Sequence, residues 1–238
     1  MTAIVLAAGA GRRMGGLRGE KGEGAGAEKI FATLAGRPLL YYSLKALETS
    51  PEIERVVIVA RKRSLQRCCN LIARYGFRKV QTVAAGGRRR QDSLEKGMCF
   101  ARGAKYVLVH DGARPLLDRS LISRTVAASR RTGAAIPALR ATDSLKRVKA
   151  GRIEETVPRQ DVWCSQTPQV FRRSILEEAL RRWPHKSTAT DDAAMVTRIG
   201  RKVTVVEGDP LNIKITFSHD LSFAEFLLRH RGKHKQPK

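Results

Sequence analysis

Short apolar runs that alternate with amphipathic helical stretches constrain this chain more than any other feature. Ala3–Ala7, Arg55–Ala60 and Tyr106–Val109 read as buried strands, with Lys79–Val83 and Ala134–Leu139 as further strands. Helical patterns occupy Pro38–Leu47, Ser64–Tyr75 closed by Gly76, Ser93–Arg102 followed by Gly103, and a stretch from Asp118 to near Gly133. Alternation of this kind predicts βαβ units, hence an α/β fold with a mostly parallel twisted sheet and helices on both faces. Ligands of such sheets sit beyond the carboxyl ends of the strands. The segments after Ala7, Val83 and Val109 are therefore expected to line one site.

The region Ser144–Val157 breaks the alternation. Leu145–Val148 and Ile153–Val157 read as a hairpin around the turn Lys149-Ala150-Gly151-Arg152, expected to protrude as a β-arm. Helices follow at Arg172–Arg182 and Asp191–Ile199, then a strand at Lys202–Val206 and a last helix at His219–His230. A basic tail, Arg229–Lys238, ends the chain.

Charge narrows the partners. Lys and Arg number 46 against 22 Asp and Glu, a formal net charge of +24. That balance favours anionic ligands, from phosphorylated metabolites to nucleic acid. Aromatic residues are only 5% of the chain and no base-stacking motif or recognition helix appears, which argues against nucleic acid. A basic nucleic-acid-binding protein stays as the reading from another class. Cys68, Cys69, Cys99 and Cys164 have no CxxC spacing, so mostly structural, reduced thiols are expected rather than zinc or disulfides. No apolar run is long enough to span a membrane, and the chain opens directly on a strand pattern without a leader, so a cytoplasmic protein is expected.

Four motifs carry chemistry. Leu6-Ala7-Ala8-Gly9-Ala10-Gly11-Arg12-Arg13-Met14-Gly15 puts small residues and cations straight after the first strand, where backbone N–H groups can cradle phosphates. It lacks the third glycine of a dinucleotide loop and the Gly-Lys-[Ser/Thr] of a P-loop. A Gly-rich stretch from Gly15 to Ala27 leads to Lys29, which could close over phosphates as a point charge. Gly86-Gly87-Arg88-Arg89-Arg90-Gln91-Asp92-Ser93 allows close backbone contact with a nucleoside and sets Ser93 near a helix start. His110-Asp111-Gly112-Ala113-Arg114-Pro115 ends a strand on a carboxylate that could help hold Mg²⁺, with Arg114 placed to grip phosphate and His110 on the other face. Asn212-Ile213-Lys214-Ile215-Thr216 alternates, so as a strand it would gather Asn212, Lys214 and Thr216 on one face. No Ser–His–Asp or Cys–His arrangement is evident. A site of Lys, Arg and Mg²⁺ suits attack of one phosphate on another, which needs positioning and charge neutralisation rather than a side-chain nucleophile.

In this order, the motifs resemble the 2-C-methyl-D-erythritol 4-phosphate cytidylyltransferases of the non-mevalonate isoprenoid pathway. The resemblance also takes in Asp143-Ser144-x-Lys146, Gln166-Thr167-Pro168-Gln169-x-Phe171 and Thr190-Asp191-Asp192-Ala193. It implies a Rossmann-like nucleotidyltransferase fold, with residues 1–238 as a single domain, the arm at 140–160 serving dimerisation and a basic tail at 229–238. By the same resemblance, Arg13 and Lys29 stabilise charge at the α-phosphate of CTP. Ala7, Ala8, Gly9, Gly11, Gly87, Ser93 and Gly112 hold the nucleotide. Asp111 lies near a Mg²⁺ or other divalent cation, and Arg114, Ser144 and Lys214 hold the polyol phosphate. A homodimer is implied, with Arg159 crossing from the partner's arm. Glu28 stands where the family usually has Pro, which leaves Lys21 as an alternative to Lys29; Pro158 precedes Arg159 where an Asp is common, and Ser144 replaces a usual Thr. A ribitol 5-phosphate cytidylyltransferase would share every nucleotide motif, and a degenerate, inactive homologue is opposed by the intact Arg13, Asp111 and Lys214.

Overall fold

The structure is a computed structural model that describes residues 1–9, 28–184 and 187–230. Its elements, in chain order, are β1 (Thr2–Leu6), β2 (Thr33–Leu34), β3 (Arg37–Pro38), α1 (Leu39–Glu48), β4 (Arg55–Ala60), α2 (Leu65–Tyr75), β5 (Val80–Ala85), α3 (Arg90–Cys99), β6 (Tyr106–Asp111) and α4 (Arg119–Thr132). There follow β7 (Ala134–Arg140), β8 (Leu145–Lys149), β9 (Arg152–Val157), β10 (Trp163–Ser165), β11 (Gln169–Arg172), α5 (Arg173–Arg182), α6 (Asp192–Arg198), β12 (Thr204–Glu207) and α7 (His219–His230).

One sheet organises the chain, in the order β10-β7-β11-β6-β1-β4-β5, with β12 also paired to β7. Strands β5, β4, β1 and β6 run parallel. The chain leaves β1 towards β4 and β5, then returns to β6 on β1's other side. That reversal makes the β1/β6 boundary a topological switch point, the place where such sheets bind ligands. Register sets Leu6 opposite Asp111 there.

Period-two burial separates two cores. Ala3, Val5, Val56 and Ile58 pack with Leu40, Leu44 and Leu47 of α1, Leu71 of α2 and Leu121 and Val126 of α4. Ile4, Val57, Val59 and Val107 pack on the opposite face with Leu94 and Met98 of α3, Leu176 of α5 and Met195 of α6. Both faces of the parallel strands are thus covered, which explains their unbroken apolar runs. The helices stop where the sequence signals: Gly76 and Gly133 take left-handed φ of 66° and 90° at the ends of α2 and α4, and Asp118 accepts from Ser120 N–H at the start of α4.

Besides the short strands β2, β3 and β10 and shifted bounds of β5 and β12, the structure departs from the sequence reading in four further ways. Helix α3 begins at Arg90 rather than Ser93, because the Asp92 carboxylate reaches back to the Arg89 N–H at 3.0 Å and caps the first turn. Strand β11 is wedged antiparallel between β6 and β7, so the sheet is mixed at that side; four residues are too few to show a period. Residues 212–216 form no strand. Asn212 and Ile215 are buried while Lys214 is not, and the segment is an extended strap tied by Ile215 N–H to Ala113 O at 2.8 Å. Asn212 turns inward to donate to Thr167 O at 2.8 Å, away from Lys214. Finally, only Cys68 among the cysteines is buried, and burial pushes its thiol up to about 12; Cys69, Cys99 and Cys164 are exposed. All four are free thiols.

The β8–β9 hairpin forms its own two-stranded sheet, as expected of an arm. Its turn residues Ala150 and Gly151 have φ of 47° and 77°, the left-handed pair of a tight hairpin turn.

Candidate active site

A cleft of about 950 Å³ opens at the carboxyl ends of β1, β4, β5 and β6. Ala7, Ala8, Gly9, Lys29, Gly86, Gly87, Ser93, Asp111 and Lys214 all line it. Residues far apart in sequence therefore meet where the switch point predicts.

One wall of the cleft is backbone brought unusually close. A Cβ on Gly86 would lie 2.5 Å from Ala8 Cβ, and one on Gly87 would lie 2.3 Å from Asp92 Cβ. Only glycine lets these loops touch. Gly86 N–H donates to Ala60 O at 2.7 Å and Gly87 N–H to Ser93 Oγ at 3.1 Å, so Ser93 shapes the loop from within α3. Gly112 lies behind the wall, its N–H donating to Leu6 O at 3.0 Å.

Charge dominates the floor. Lys214 Nζ meets Asp111 Oδ2 at 2.6 Å, and Arg90 spans Asp111 Oδ1, at 3.3 Å, and Asp192 Oδ1 in a shorter contact. Burial opposes ionisation of Asp111, but Arg90 and Lys214 outweigh it and hold its carboxyl well below the usual range. Burial likewise works against the Arg90 charge, yet its two carboxylates push its pKa up. Lys29 Nζ donates to Ile215 O at 2.6 Å, clipping the strap across the cleft.

His110 is wholly buried, in contact with Arg114 O at 3.2 Å and Thr167 Oγ1 at 3.0 Å; burial pushes its pKa down to about 4. It is a neutral structural group, as its strand face predicts. Arg114 does not reach the cleft wall. Its buried guanidinium donates to Asn212 O at 2.7 Å and braces the strap from behind. Ser144 and Arg159 stand on the exposed arm, Arg159 bonded to Thr142 O, and neither lines the cleft of its own chain. Gly11, Arg13 and Lys21 lie outside the described residues.

Glu28 is buried in a pair with Arg63 at 2.9 Å, with Arg61 at 3.9 Å. Arg61 donates to Ala8 O at 3.2 Å and, with Lys62, lines the cleft. These two cations follow β4 directly. The strand-end rule that pointed to β1, β5 and β6 applies to β4 equally and would have found them. Arg90 and Asp192 were visible only as letters in motifs.

Among the described residues no cluster of three His, Cys, Asp or Glu could hold a metal. Mg²⁺ does not need one: it keeps several waters and binds through one or two carboxylates together with substrate phosphates. Ionised Asp111, at the cleft floor, fits that pattern.

Known proteins resemble this chain along nearly its whole length. The sequence model of the family described as IspD: 2-C-methyl-D-erythritol 4-phosphate cytidylyltransferase matches residues 1–230. Proteins of that name from Dehalococcoides mccartyi and Geobacillus kaustophilus are each 40% identical, over 95% and 96% of this chain and 95% and 97% of theirs. The crystal structure of 4-diphosphocytidyl-2C-methyl-D-erythritol synthase from Anaerococcus prevotii superposes with a TM-score of 0.81 at 27% identity, covering 96% of this chain and 97% of that one. The cytidylyltransferase structure from Thermus thermophilus gives 0.73 at 30% identity, covering 95% and 98%.

Proposed function

The chain belongs to the 2-C-methyl-D-erythritol 4-phosphate cytidylyltransferase family, and for its reaction we propose the residue roles that follow. The enzyme transfers CMP from CTP to 2-C-methyl-D-erythritol 4-phosphate in isoprenoid precursor biosynthesis, releasing pyrophosphate. A phosphate oxygen of the acceptor attacks the α-phosphorus of CTP, and the bond from that phosphorus to the bridging oxygen of the β-phosphate breaks. The attacking phosphate is already anionic, so no side-chain nucleophile is required, only alignment and charge neutralisation.

One observation carries the assignment: Ala7–Gly9, Gly87, Ser93, Lys29, Asp111 and Lys214 converge on a single cleft at the β1/β6 switch point. In the proposal, Ala7, Ala8, Gly9, Gly11 and Gly87 hold the nucleotide, with Ser93 and Gly112 fixing the loops that carry them. Lys29 and Arg13 neutralise charge at the α-phosphate, and the place of Lys29 in the cleft lining supports its role. Lys214 and Asp111 meet the acceptor, with Arg114 serving it through the strap. A Mg²⁺ carried by the triphosphate and approached by Asp111 would supply further charge neutralisation.

Ser144 and Arg159 complete the acceptor site from the arm of a second copy. Val148 and Ile153, cross-strand partners on the arm, are 57% and 64% exposed, an apolar pair that a homodimer contact would cover. The assembly is thus a homodimer of single nucleotidyltransferase domains joined through arms. Among the described residues no helix is long and apolar enough to cross a membrane, and a cytoplasmic setting is part of the proposal.

Pyrophosphate release from CTP and Mg²⁺ tests the reading, with methylerythritol phosphate and ribitol 5-phosphate offered in parallel. Turnover with methylerythritol phosphate alone is expected. Turnover with ribitol 5-phosphate alone would overturn the acceptor.

A further inference from the structure

The charges at the switch point are shared unequally. Arg90 makes its tighter contact with Asp192 and reaches Asp111 Oδ1 only at 3.3 Å, while Lys214 takes the other oxygen of Asp111 at 2.6 Å. Asp192 opens α6 and is fully buried. Its place is set by Gln169, whose Oε1 accepts from the N–H groups of Asp192 and Ala193, both at 3.1 Å. Gln169 Nε2 in turn donates to Asp191 Oδ2 and Ser165 Oγ, each at 2.9 Å. Gln169 is the register partner of Val109, two residues before Asp111. The two aspartates are therefore anchored to one stretch of sheet, with Arg90 between them. Asp192 Oδ2 has no hydrogen-bond partner. A fully buried carboxylate with one oxygen unused is costly, and among the described residues its charge partner is Arg90.

We infer that Asp192 is a positioning residue for the acceptor half of the site: it holds Arg90 off Asp111, so that the Asp111 carboxylate stays with Lys214 and aims it. The inference rests on the proposed roles of Asp111 and Lys214. Without the pull of Asp192, Arg90 has one carboxylate within reach among the described residues, that of Asp111. A largely buried guanidinium needs a counter-charge, so it closes on Asp111 and competes with Lys214 for that carboxylate. Lys214 then loses its fixed direction. The nucleotide loops keep their own backbone contacts, because Gly86 N–H and Gly87 N–H are held by Ala60 O and Ser93 Oγ.

Steady-state pyrophosphate release tests this, with each substrate varied in turn. Asp192→Asn is expected to raise KM for methylerythritol phosphate about tenfold while KM for CTP stays within about twofold. Arg90→Lys keeps the charge but cannot span two carboxylates, and is expected to show the same selective rise. The double variant should be no worse than the worse single one, since Asp192 acts through Arg90. Parallel rises in both KM values, additive losses in the double variant, or an unchanged Asp192→Asn enzyme would each overturn the inference. If Asp192→Asn does not fold, the KM split of Arg90→Lys decides alone. Should the wild-type enzyme use ribitol 5-phosphate instead, the acceptor assignment fails, and the same split measured on that acceptor still judges Asp192.

Discussion

The cleft and the arm use the same paired charges in opposite surroundings. At the cleft, Asp192 is completely buried and Asp111 nearly so, and Arg90 ties them together. On the arm, Arg147 meets Glu155 at 2.8 Å and Lys149 meets Glu154 at 3.7 Å, with all four side chains largely open to solvent. Breaking a buried pair leaves a charge without water or partner and costs about 3–5 kcal/mol, whereas exposed pairs are worth about 0–1 kcal/mol. In the cleft, then, ion pairs fix geometry. On the arm they decorate a hairpin whose distinctive property is the exposed Val148 and Ile153.

The largest effect should follow from removing a cleft cation proposed to meet substrate. Lys214→Ala is expected to lower kcat/KM for methylerythritol phosphate by about 100- to 1,000-fold, read in pyrophosphate release. Arg159→Ala should be similarly impaired, although Arg159 lies outside its own chain's cleft. Mixing the two dead variants then sharpens the comparison. In the proposed homodimer, a mixed pair has one site with both defects and one with neither, so a re-equilibrated equal mixture should recover about a quarter of wild-type activity. No recovery would mean that arm and cleft serve the same chain.

Next in size is a pH effect confined to the buried region. The His110 pKa falls from 6.5 to about 4 on folding. The unfolded chain therefore binds the extra proton between those values, and stability is full above the unfolded pKa and falls as pH drops towards about 4. At about 1.4 kcal/mol per pKa unit the loss is about 3 kcal/mol. Asp111 has a depressed pKa, so its own contribution is lost only at lower pH, below the ordinary carboxylate range. Urea unfolding midpoints across this range should slope in the wild type and flatten in His110→Gln. A slope that survives the substitution would place the titration elsewhere.

Legibility followed the range of the interactions. Strands covered on both faces announce themselves as apolar runs, and helix ends as Gly76, Gly133 and Asp118, because burial and capping are local demands. The glycines at 86 and 87 were legible for the same reason. Arg90 was not: its partners stand 21 and 102 residues away, and nothing at those spacings marks an ion pair. The strap at 212–216 misled because alternation of Ile and polar residues imitates a strand, whereas Asn212 is drawn inward by Thr167 and Arg114. Ser144 and Arg159 were named through resemblance, and a single chain leaves them on the surface.

The smallest effect belongs to the outer charges of the arm, and it separates the arm's two faces. The register slips between Arg147 and Val148, but the extra residue, Glu154, lies on β9, so alternation along β8 still sets the side chains of Arg147 and Val148 on opposite sides. Arg147 pairs with Glu155, and Val148 lies across from Ile153. If the apolar face meets a second copy, the charged face stays in water. Arg147→Ala should then cost no more than about 1 kcal/mol, shrink further at high salt, and leave the dimer intact in sedimentation. Val148→Asp, one residue away, should shift sedimentation towards the monomer and lower turnover with it, because Arg159 then no longer reaches a partner's cleft. If Arg147→Ala instead weakens the dimer as much as Val148→Asp, the charged face is the one that is covered. The arm would then follow the rule of the cleft, where a lost partner strands a buried charge.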